Sequence, residues 1–492
     1  MNFTQLIRGF ARQFPHREAV VTDNRSESFS EFWRNIAAAG QFYLDSGLKT
    51  EDRVVLVLPN SHEFLHFHFG ALKNGIISVP VRHDYTGWEV RRMALNCEPR
   101  LVVSTSDWLE KNRTQLSLPA GTSVISVEEA TSRSRPGDDD VRPIANRAIA
   151  SIHYSYFGGG HPKGAMLTHA NHIYAATGYA RHQGFRPTDR LLVMLPMCHV
   201  YALSGCVNAG LVRGGTLVPT THFMPGSIFK DVERHRITIL SSVPSVFECL
   251  ANYKKKSKFD LSSLRLLVTG GAYMPAEQQH AFEAALGTEM VQGYGLTECL
   301  PVICNPSGAG NRRGTLGIPG RRDIFIRIMD QNGRPLPPNE VGEIQIKSTT
   351  TMAGYHRMPD ETQKMFQGEW LRTGDIGTLD SNGYLHFRGM SKPILNLNGN
   401  KVDPLEVRAA ILEHPAVANV EVWAEPHRHE NRENGDVRIH ARVIPEQNTS
   451  VIESEIRAFC LRRLAGYKIP QAITVDQPSY PHARSTFQPL RE

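Results

Sequence analysis

At 492 residues the chain is too long for one ordinary hydrophobic core, so at least two domains are expected, with ample apolar surface to bury. Hydrophobic residues at 40% and charged residues at 21% are ordinary globular proportions and exclude a disordered or fibrous protein. The formal net charge of +6 is small for this length and its Lys and Arg are scattered, which fits solvated surface charge and argues against nucleic-acid binding.

The opening stretch MNFTQLIRGFARQFPHREA has no long apolar core and reads as an amphipathic helix. From about Ser28 to Val103 helical and strand signals alternate. SFSEFWRNIAAAGQFYLDSG has a period near 3.6 and predicts a helix, DRVVLVLPN a short buried strand, FLHFHFGALKNG a helix and IISVPV a strand. The rhythm recurs in RLLVMLP, GGTLVPT, ITILSSVP and LRLLVTGG, so the first three hundred residues or so predict layered α/β sheets with parallel strands and crossover helices. No segment reaches the roughly 20 apolar residues of a membrane helix. The seven cysteines, Cys97, Cys198, Cys206, Cys249, Cys299, Cys304 and Cys460, form no CxxC pair, and their odd number suits a reducing cytosol, so a cytoplasmic protein without a disulfide framework is expected.

Between Thr315 and Arg388 the character changes. GRRDIFIRIMDQNGRPLP, GEIQIKS and GYLHFRG give strands separated by Asn-Gly and Pro-rich turns, predicting a smaller β-rich subdomain at about 315–388. After Gly389, KPILNLNGNKVDPLEVRAAILEHP, VANVEVWAEP, VRIHARVIP and a helix around Ile452 to Leu464 predict a small α+β unit, with HENRENGD around Asn431 as a hairpin loop. The expected architecture is therefore a large α/β N-terminal domain, 1–390, and a small C-terminal domain, 391–492, with a hinge near Ser391 to Pro393.

Tyr154 to Asn171 reads YSYFGGGHPKGAMLTHAN and places glycines and a Lys between a predicted strand and a predicted helix, an arrangement in which backbone N–H groups surround a phosphate. The Gly-Lys spacing is not that of a Walker P-loop. With it, in order, come LPMCHVYAL (Leu195–Leu203), GYGLTE (Gly293–Glu298), LRTGD (Leu371–Asp375), GMSKPILNLNGNKVDPLEV and YKIP (Tyr467–Pro470). Over nearly its full length the chain thereby resembles the adenylate-forming superfamily of acyl-CoA synthetases, aryl-CoA ligases and peptide-synthetase adenylation domains.

The resemblance implies that Lys163, Gly164, Gly293, Tyr294, Thr297, Asp375, Lys392 and Gly399 serve the cofactor. Tyr294 would stack on adenine, Thr297 would bond the α-phosphate, Asp375 the ribose hydroxyls, and Glu298 would hold Mg²⁺, a hard cation that prefers oxygen ligands. It implies an acyl pocket of His199, Tyr201, Gly270, Gly271 and Ala272, the glycines leaving width for a flat ring, with His199 shifting to open a pantetheine tunnel. Read from the residues alone, a core aromatic at Tyr294 and a helix N-terminal acid at Glu298 are the alternatives, which the ordered motifs disfavour, and a lone His199 is more simply a packed histidine.

The sequence departs from the family pattern at ATP-handling positions. Aligned on Pro162, Lys163 and Gly164, Phe157 replaces a glycine, and Gly158 and Gly159 replace two hydroxyl donors, each worth about 1.5–3 kcal/mol to a charged acceptor. Phe487, in Pro481–Phe487, occupies the place of the lysine that bridges carboxylate and α-phosphate, and loss of one such donor costs roughly 10²–10³ in rate. Arg484 is offset from it by three residues. Met390 replaces an Arg, and Pro393 replaces the residue about which the small domain swings.

On this pattern the leading expectation is ATP-independent transfer of an aryl or acyl group from a coenzyme A thioester to the phosphopantetheine of an acyl carrier protein, as proposed for some natural-product relatives of aryl-CoA ligases. Catalysis would involve His199 and Thr297, with Phe487 marking the missing lysine. One alternative is a conventional ligase using ATP and Mg²⁺ to form an acyl-adenylate. Another is a non-catalytic partner that binds an acyl ligand.

Overall fold

The structure, a computed structural model, describes residues 2–155, 160–301, 303–390, 395–397, 400–427, 436–446 and 449–476. The chain divides into two compact units, Met1–Ser155 with Pro162–Pro393, and Tyr156–His161 with Ile394–Glu492.

The first unit opens with the amphipathic helix α1 (Thr4–Gln13), which buries Ile7 and Ala11. Strands β1 (Glu18–Thr22) and β2 (Arg25–Ser28) form an antiparallel hairpin. Ser28 ends β2 and starts α2 (Phe29–Asp45) through a capping box with Glu31, which satisfies two helix-start N–H groups. After β3 (Arg53–Val57), Ser61 caps α3 (His62–Lys73) by accepting from Phe64 N–H. Every residue of α3 except Glu63 is buried, including the polar side chains of His62, His66, His68 and Lys73.

Six strands follow the predicted rhythm: β3, β4 (Ile77–Val81), β5 (Leu101–Ser104), β6 (Ser123–Ser126), β7 (Ile149–Ser155) and β8 (Lys163–Thr168), in the order β6-β5-β3-β4-β7-β8. All pair in parallel except β7 with β8, which run antiparallel with Ser155 opposite Lys163. This corrects the expectation of a strand–glycine loop–helix. KGAMLT is itself a strand, so the glycine-containing segment lies between two strands in the chain, and the next helix starts only at His169, capped by Thr168 and Asn171. The N-terminus of that helix therefore does not follow the glycines.

A second sheet contains β9 (Arg190–Val193), β10 (Thr216–Pro219), β11 (Ile239–Ser242), β12 (Leu266–Thr269), β13 (Met290–Tyr294), β14 (Ile303–Cys304) and β15 (Ile318–Pro319), in the order β15-β14-β13-β12-β11-β9-β10-β1-β2. Its centre is parallel, and its strands read as unbroken apolar runs because both faces are covered. One core joins the two sheets: Phe32 and Phe69 of α2 and α3, Val54 and Leu56 of β3, and Leu191, Leu217, Ile239 and Val291 of the second sheet belong to the same buried cluster. The β-rich part is an antiparallel sheet of β16 (Ile324–Met329), β17 (Gly342–Ser348), β18 (Phe366–Gln367), β19 (Trp370–Leu379) and β20 (Leu385–Met390).

The second unit has a short hairpin, β21 (Leu395–Leu397) with β22 (Asn400–Val402), and a sheet of β23 (Val417–His427), β24 (Asp436–Pro445) and β25 (Ala472–Val475), with helices Pro404–Leu412 and Glu453–Arg463. Within it Lys468 Nζ donates to Glu406 Oε1 at 2.6 Å, both side chains being fully buried, and Gly160 N–H donates to Asp403 Oδ2 at 3.2 Å. Of the predicted HENRENGD loop, residues 429–435 lie outside the described residues, and Asp436 opens β24. All seven cysteines are free, and no helix among the described residues is long and apolar enough to cross a membrane. The fold is an α/β N-terminal assembly of layered sheets with a β-rich part, and a smaller α+β C-terminal unit.

Candidate active site

Gly293 to Glu298 leave the C-terminal end of β13, and the side chains expected there are gathered in two clusters. In the first, Glu298 is buried and its Oε1 accepts from Ser155 Oγ at 2.6 Å and from Tyr355 OH at 2.8 Å. Oε2 makes no hydrogen bond to any described residue. Ser155 is supplied by the end of β7, and Tyr355 by a segment that runs along β8, where Met166 N–H donates to Gly354 O and His356 N–H to Gly164 O. Burial, and then the negative charge of Glu298, push the Tyr355 hydroxyl far above its ordinary range, so it remains a donor.

Lys163 sits in β8, buried, with Nζ 2.6 Å from Glu361 Oε2 and 5.8 Å from the Tyr355 ring centre. Its ammonium and that of Lys364 hold the Glu361 carboxyl down at about 2. Gly164 meets a packing demand of its own: a Cβ there would lie 2.7 Å from Ile152 Cγ2 and 3.1 Å from the Tyr154 ring. Thr297 is half-buried, and its hydroxyl bonds to no described residue.

In the second cluster Tyr294 OH donates to Asp375 Oδ2 at 2.6 Å. Asp375, on β19, is fixed by its own N–H to Thr373 Oγ1, whose hydroxyl in turn donates to Ile344 O, and it lies opposite Met390 of β20 in register. Burial and the Asp375 charge raise the Tyr294 pKa strongly. The resemblance gives these two side chains separate partners, adenine and ribose. Here they partner each other.

Of the residues expected to line an acyl pocket, Tyr201 and Gly270 come together at the ends of β11 and β12. Residues Tyr201–Asn208 form a π-helix, a rare geometry that occurs frequently at functional sites. Tyr201 OH donates to Val268 O at 3.2 Å, and its ring lies so close to Gly270 that a Cβ there would be 3.3 Å from Tyr201 Cζ and 3.3 Å from Gly293 O. A side chain at Gly270 would therefore press on the Tyr201 ring and on the backbone of Gly293. Gly271 has φ +77°, a backbone region open to glycine, and Ala272 beside it is half-buried. His199 is exposed on the turn before the π-helix, its carbonyl accepting from Leu203 N–H.

Phe157, Gly158, Gly159, Ser391, Lys392, Pro393, Gly399, Arg484 and Phe487 lie outside the described residues. Met390 is described and exposed. Sequence reasoning missed Ser155, Tyr355 and Glu361. The available signals were weak: a Ser at the lip of the glycine turn, and an Ala-Gly-Tyr run before a helix that starts at Pro359.

A family model described as AMP-binding enzyme matches residues 7–356. The chain belongs to the AMP-binding enzyme family. Among curated relatives of this AMP-binding enzyme, a feruloyl-CoA synthase of Amycolatopsis is 28% identical over 467 residues, covering 94% of this chain and 92% of the relative. A long-chain-fatty-acid–CoA ligase of Mycobacterium tuberculosis is 30% identical over 457 residues, covering 91% and 89%. A solved o-succinylbenzoate CoA synthetase of Bacillus subtilis superposes with a TM-score of 0.84, covering 97% of this chain and 96% of that one, at 23% identity. The relatives are CoA ligases of the adenylate-forming type. Coenzyme A, ATP and Mg²⁺ are the cofactors such ligases use. Toward ATP and Mg²⁺ the described residues offer Glu298 Oε2 and the Thr297 hydroxyl, neither hydrogen-bonded to another described residue, while Lys163 is paired with Glu361.

Proposed function

We propose that this AMP-binding enzyme is an ATP-dependent carboxylate–CoA ligase for an aryl or fatty acid. The observation that supports this best is the Glu298 carboxylate, one oxygen fixed by two hydroxyls and the other not hydrogen-bonded to any described residue, four residues after Tyr294 of the Tyr294–Asp375 pair. Bound ATP would supply the adenylyl group that activates the carboxylate, with Mg²⁺ neutralising phosphate charge. Toward it the chain offers Glu298 as an oxygen ligand for the metal, Thr297 as a phosphate donor, and Asp375 as a ribose acceptor once Tyr294 turns to the base. Lys163 would have to leave Glu361 to meet a phosphate, so Glu361 holds that charge in waiting.

A second reading is favoured by the residue identities at Phe157, Gly158, Gly159, Met390 and Phe487: transfer of an acyl group from coenzyme A to a carrier-protein phosphopantetheine without nucleotide. Both readings use the pocket of Tyr201, Gly270, Gly271 and Ala272. They part at adenylation. Carboxylate-dependent exchange of labelled pyrophosphate into ATP tests the first, and Phe487→Lys should raise that exchange by roughly 10²-fold. Absence of exchange in both proteins, with steady ATP-free loading of a carrier protein from an aryl-CoA mixture, would establish the second reading instead.

A further inference from the structure

We propose that Glu27, His62 and His66 form a binding site for one divalent transition-metal ion of the zinc class, tying the β1–β2 hairpin to helix α3. The site stands apart from the residues assigned to ATP and the acyl group. His62 and His66 are four residues apart on α3, so their imidazoles emerge on one face, and the local run His62-Glu63-Phe64-Leu65-His66 has the H-E-x-x-H spacing by which two helical histidines hold zinc. The third donor comes from β2. All three side chains are buried, at 2%, 4% and 6% exposure.

Glu27 Oε2 faces both rings, 2.9 Å from His66 Nε2 and 3.3 Å from His62 Nδ1, and the three donor atoms lie within 4.8 Å of one another. With metal–donor bonds of about 2.0–2.1 Å, neighbouring donors in a tetrahedral shell are about 3.3 Å apart. Small ring movements therefore suffice to admit the ion, with a water as fourth ligand. Among the described residues, buried His62 Nδ1 has Glu27 Oε2 at 3.3 Å but makes no well-aligned hydrogen bond. Glu27 Oε2 thus has a ring nitrogen on each side, the arrangement in which one cation can be shared by all three donors.

The surroundings are those of a ligand set. Glu27 Oε1 accepts from Asn35 Nδ2 at 2.8 Å and is paired with Arg25, which leaves Oε2 for the histidines. Thr22 Oγ1 lies 3.4 Å from His62 Nε2, the ring nitrogen turned away from the site. Such outer partners fix the orientation of metal ligands. Glu63, the general base of a metallopeptidase with this spacing, is instead paired with Arg25 at 2.8 Å, so the ion would be structural. It would join a hairpin of the nine-stranded sheet to a helix of the six-stranded one.

The test is expression of tag-free protein in cobalt-supplemented medium, followed by metal analysis and visible spectroscopy. The expected result is a single equivalent of Co²⁺ per chain with the d–d absorption of a four-coordinate site, displaced by Zn²⁺. Glu27→Gln, which keeps size and hydrogen bonding, should abolish the spectrum, as should His66→Gln. His235→Ala should leave it unchanged, although Asp23, Asp231 and His235 form another group of possible ligands. Folding of each variant is checked by its thermal transition, and wild type loaded with zinc should melt several degrees above metal-free wild type. Substoichiometric cobalt in wild type, or a spectrum that survives Glu27→Gln or disappears with His235→Ala, would overturn the proposal.

Discussion

Two short hydrogen bonds fix one oxygen of the Glu298 carboxylate. Ser155 and Tyr355 both donate to one oxygen, so Glu298→Gln keeps an acceptor for them while removing the negative charge. Thioester formation should fall by roughly 10²–10³ in kcat/KM, with a much smaller change in thermal stability; equal loss of both would assign Glu298 to structure. Tyr201 acts by volume. Its ring fills the space over Gly270, so Tyr201→Ala should shift preference toward bulkier acids, read as the ratio of kcat/KM across a graded carboxylate series. An unchanged ratio would mean that the acyl group binds elsewhere. Tyr294, Glu298 and Asp375 stand out in the sequence because each lies in a short motif whose residue types suit a chemical task, and the structure places Tyr294 and Asp375 in contact. Ser155, Tyr355 and Glu361 do not stand out, because they reach the site through strand pairing that brings residues 163–166 beside 353–356.

Elements carry their own lesson, and the hairpin of β7 and β8 is the clearest case. Glycines followed by Lys and then a helical stretch suggested a phosphate loop at a helix start, but KGAMLT has enough apolar alternation to pair with β7, and the helix begins a strand later. Composition marked the turn; register decided what it joins. Asn171 holds that later helix in place twice, by the capping box with Thr168 and by Nδ2 bonds to Thr349 O and Thr351 O. Asn171→Ala should cost about 2–4 kcal/mol, from several partly buried bonds of about 0.5–1.5 kcal/mol each, measurable by denaturant unfolding. In the second unit Lys468→Met would strand the buried Glu406 carboxylate, at about 3–5 kcal/mol, whereas replacing both partners with apolar residues should restore most of the loss. A single-variant cost no greater than that of the double replacement would show that the pair is not coupled.

Across the whole molecule, the alternation of apolar runs and amphipathic helices made the layered sheets legible, since parallel strands covered on both faces are written as continuous apolar stretches. The packing of buried histidines was not legible. Burial pushes His153 and His169 down to about 4 from the ordinary 6.5, and His172 well below it. They are neutral in the folded protein, while in the unfolded chain they take protons below about pH 6.5, so the unfolded state binds more protons as pH falls from 6.5 toward 4. Stability is therefore full above pH 6.5 and declines below it, by up to about 1.4 kcal/mol per pH unit for each histidine, and the melting temperature should drop over that window. A flat profile between pH 7 and 5 would contradict this.

Dependence on nucleotide is where the functional account is most exposed. Quantifying AMP and acyl-CoA together in reactions containing a carboxylate, coenzyme A, ATP and Mg²⁺ should give equal amounts of the two products, and neither when ATP is left out. Thioester or carrier-protein product accumulating at the same rate without ATP, and with no AMP released, would contradict it.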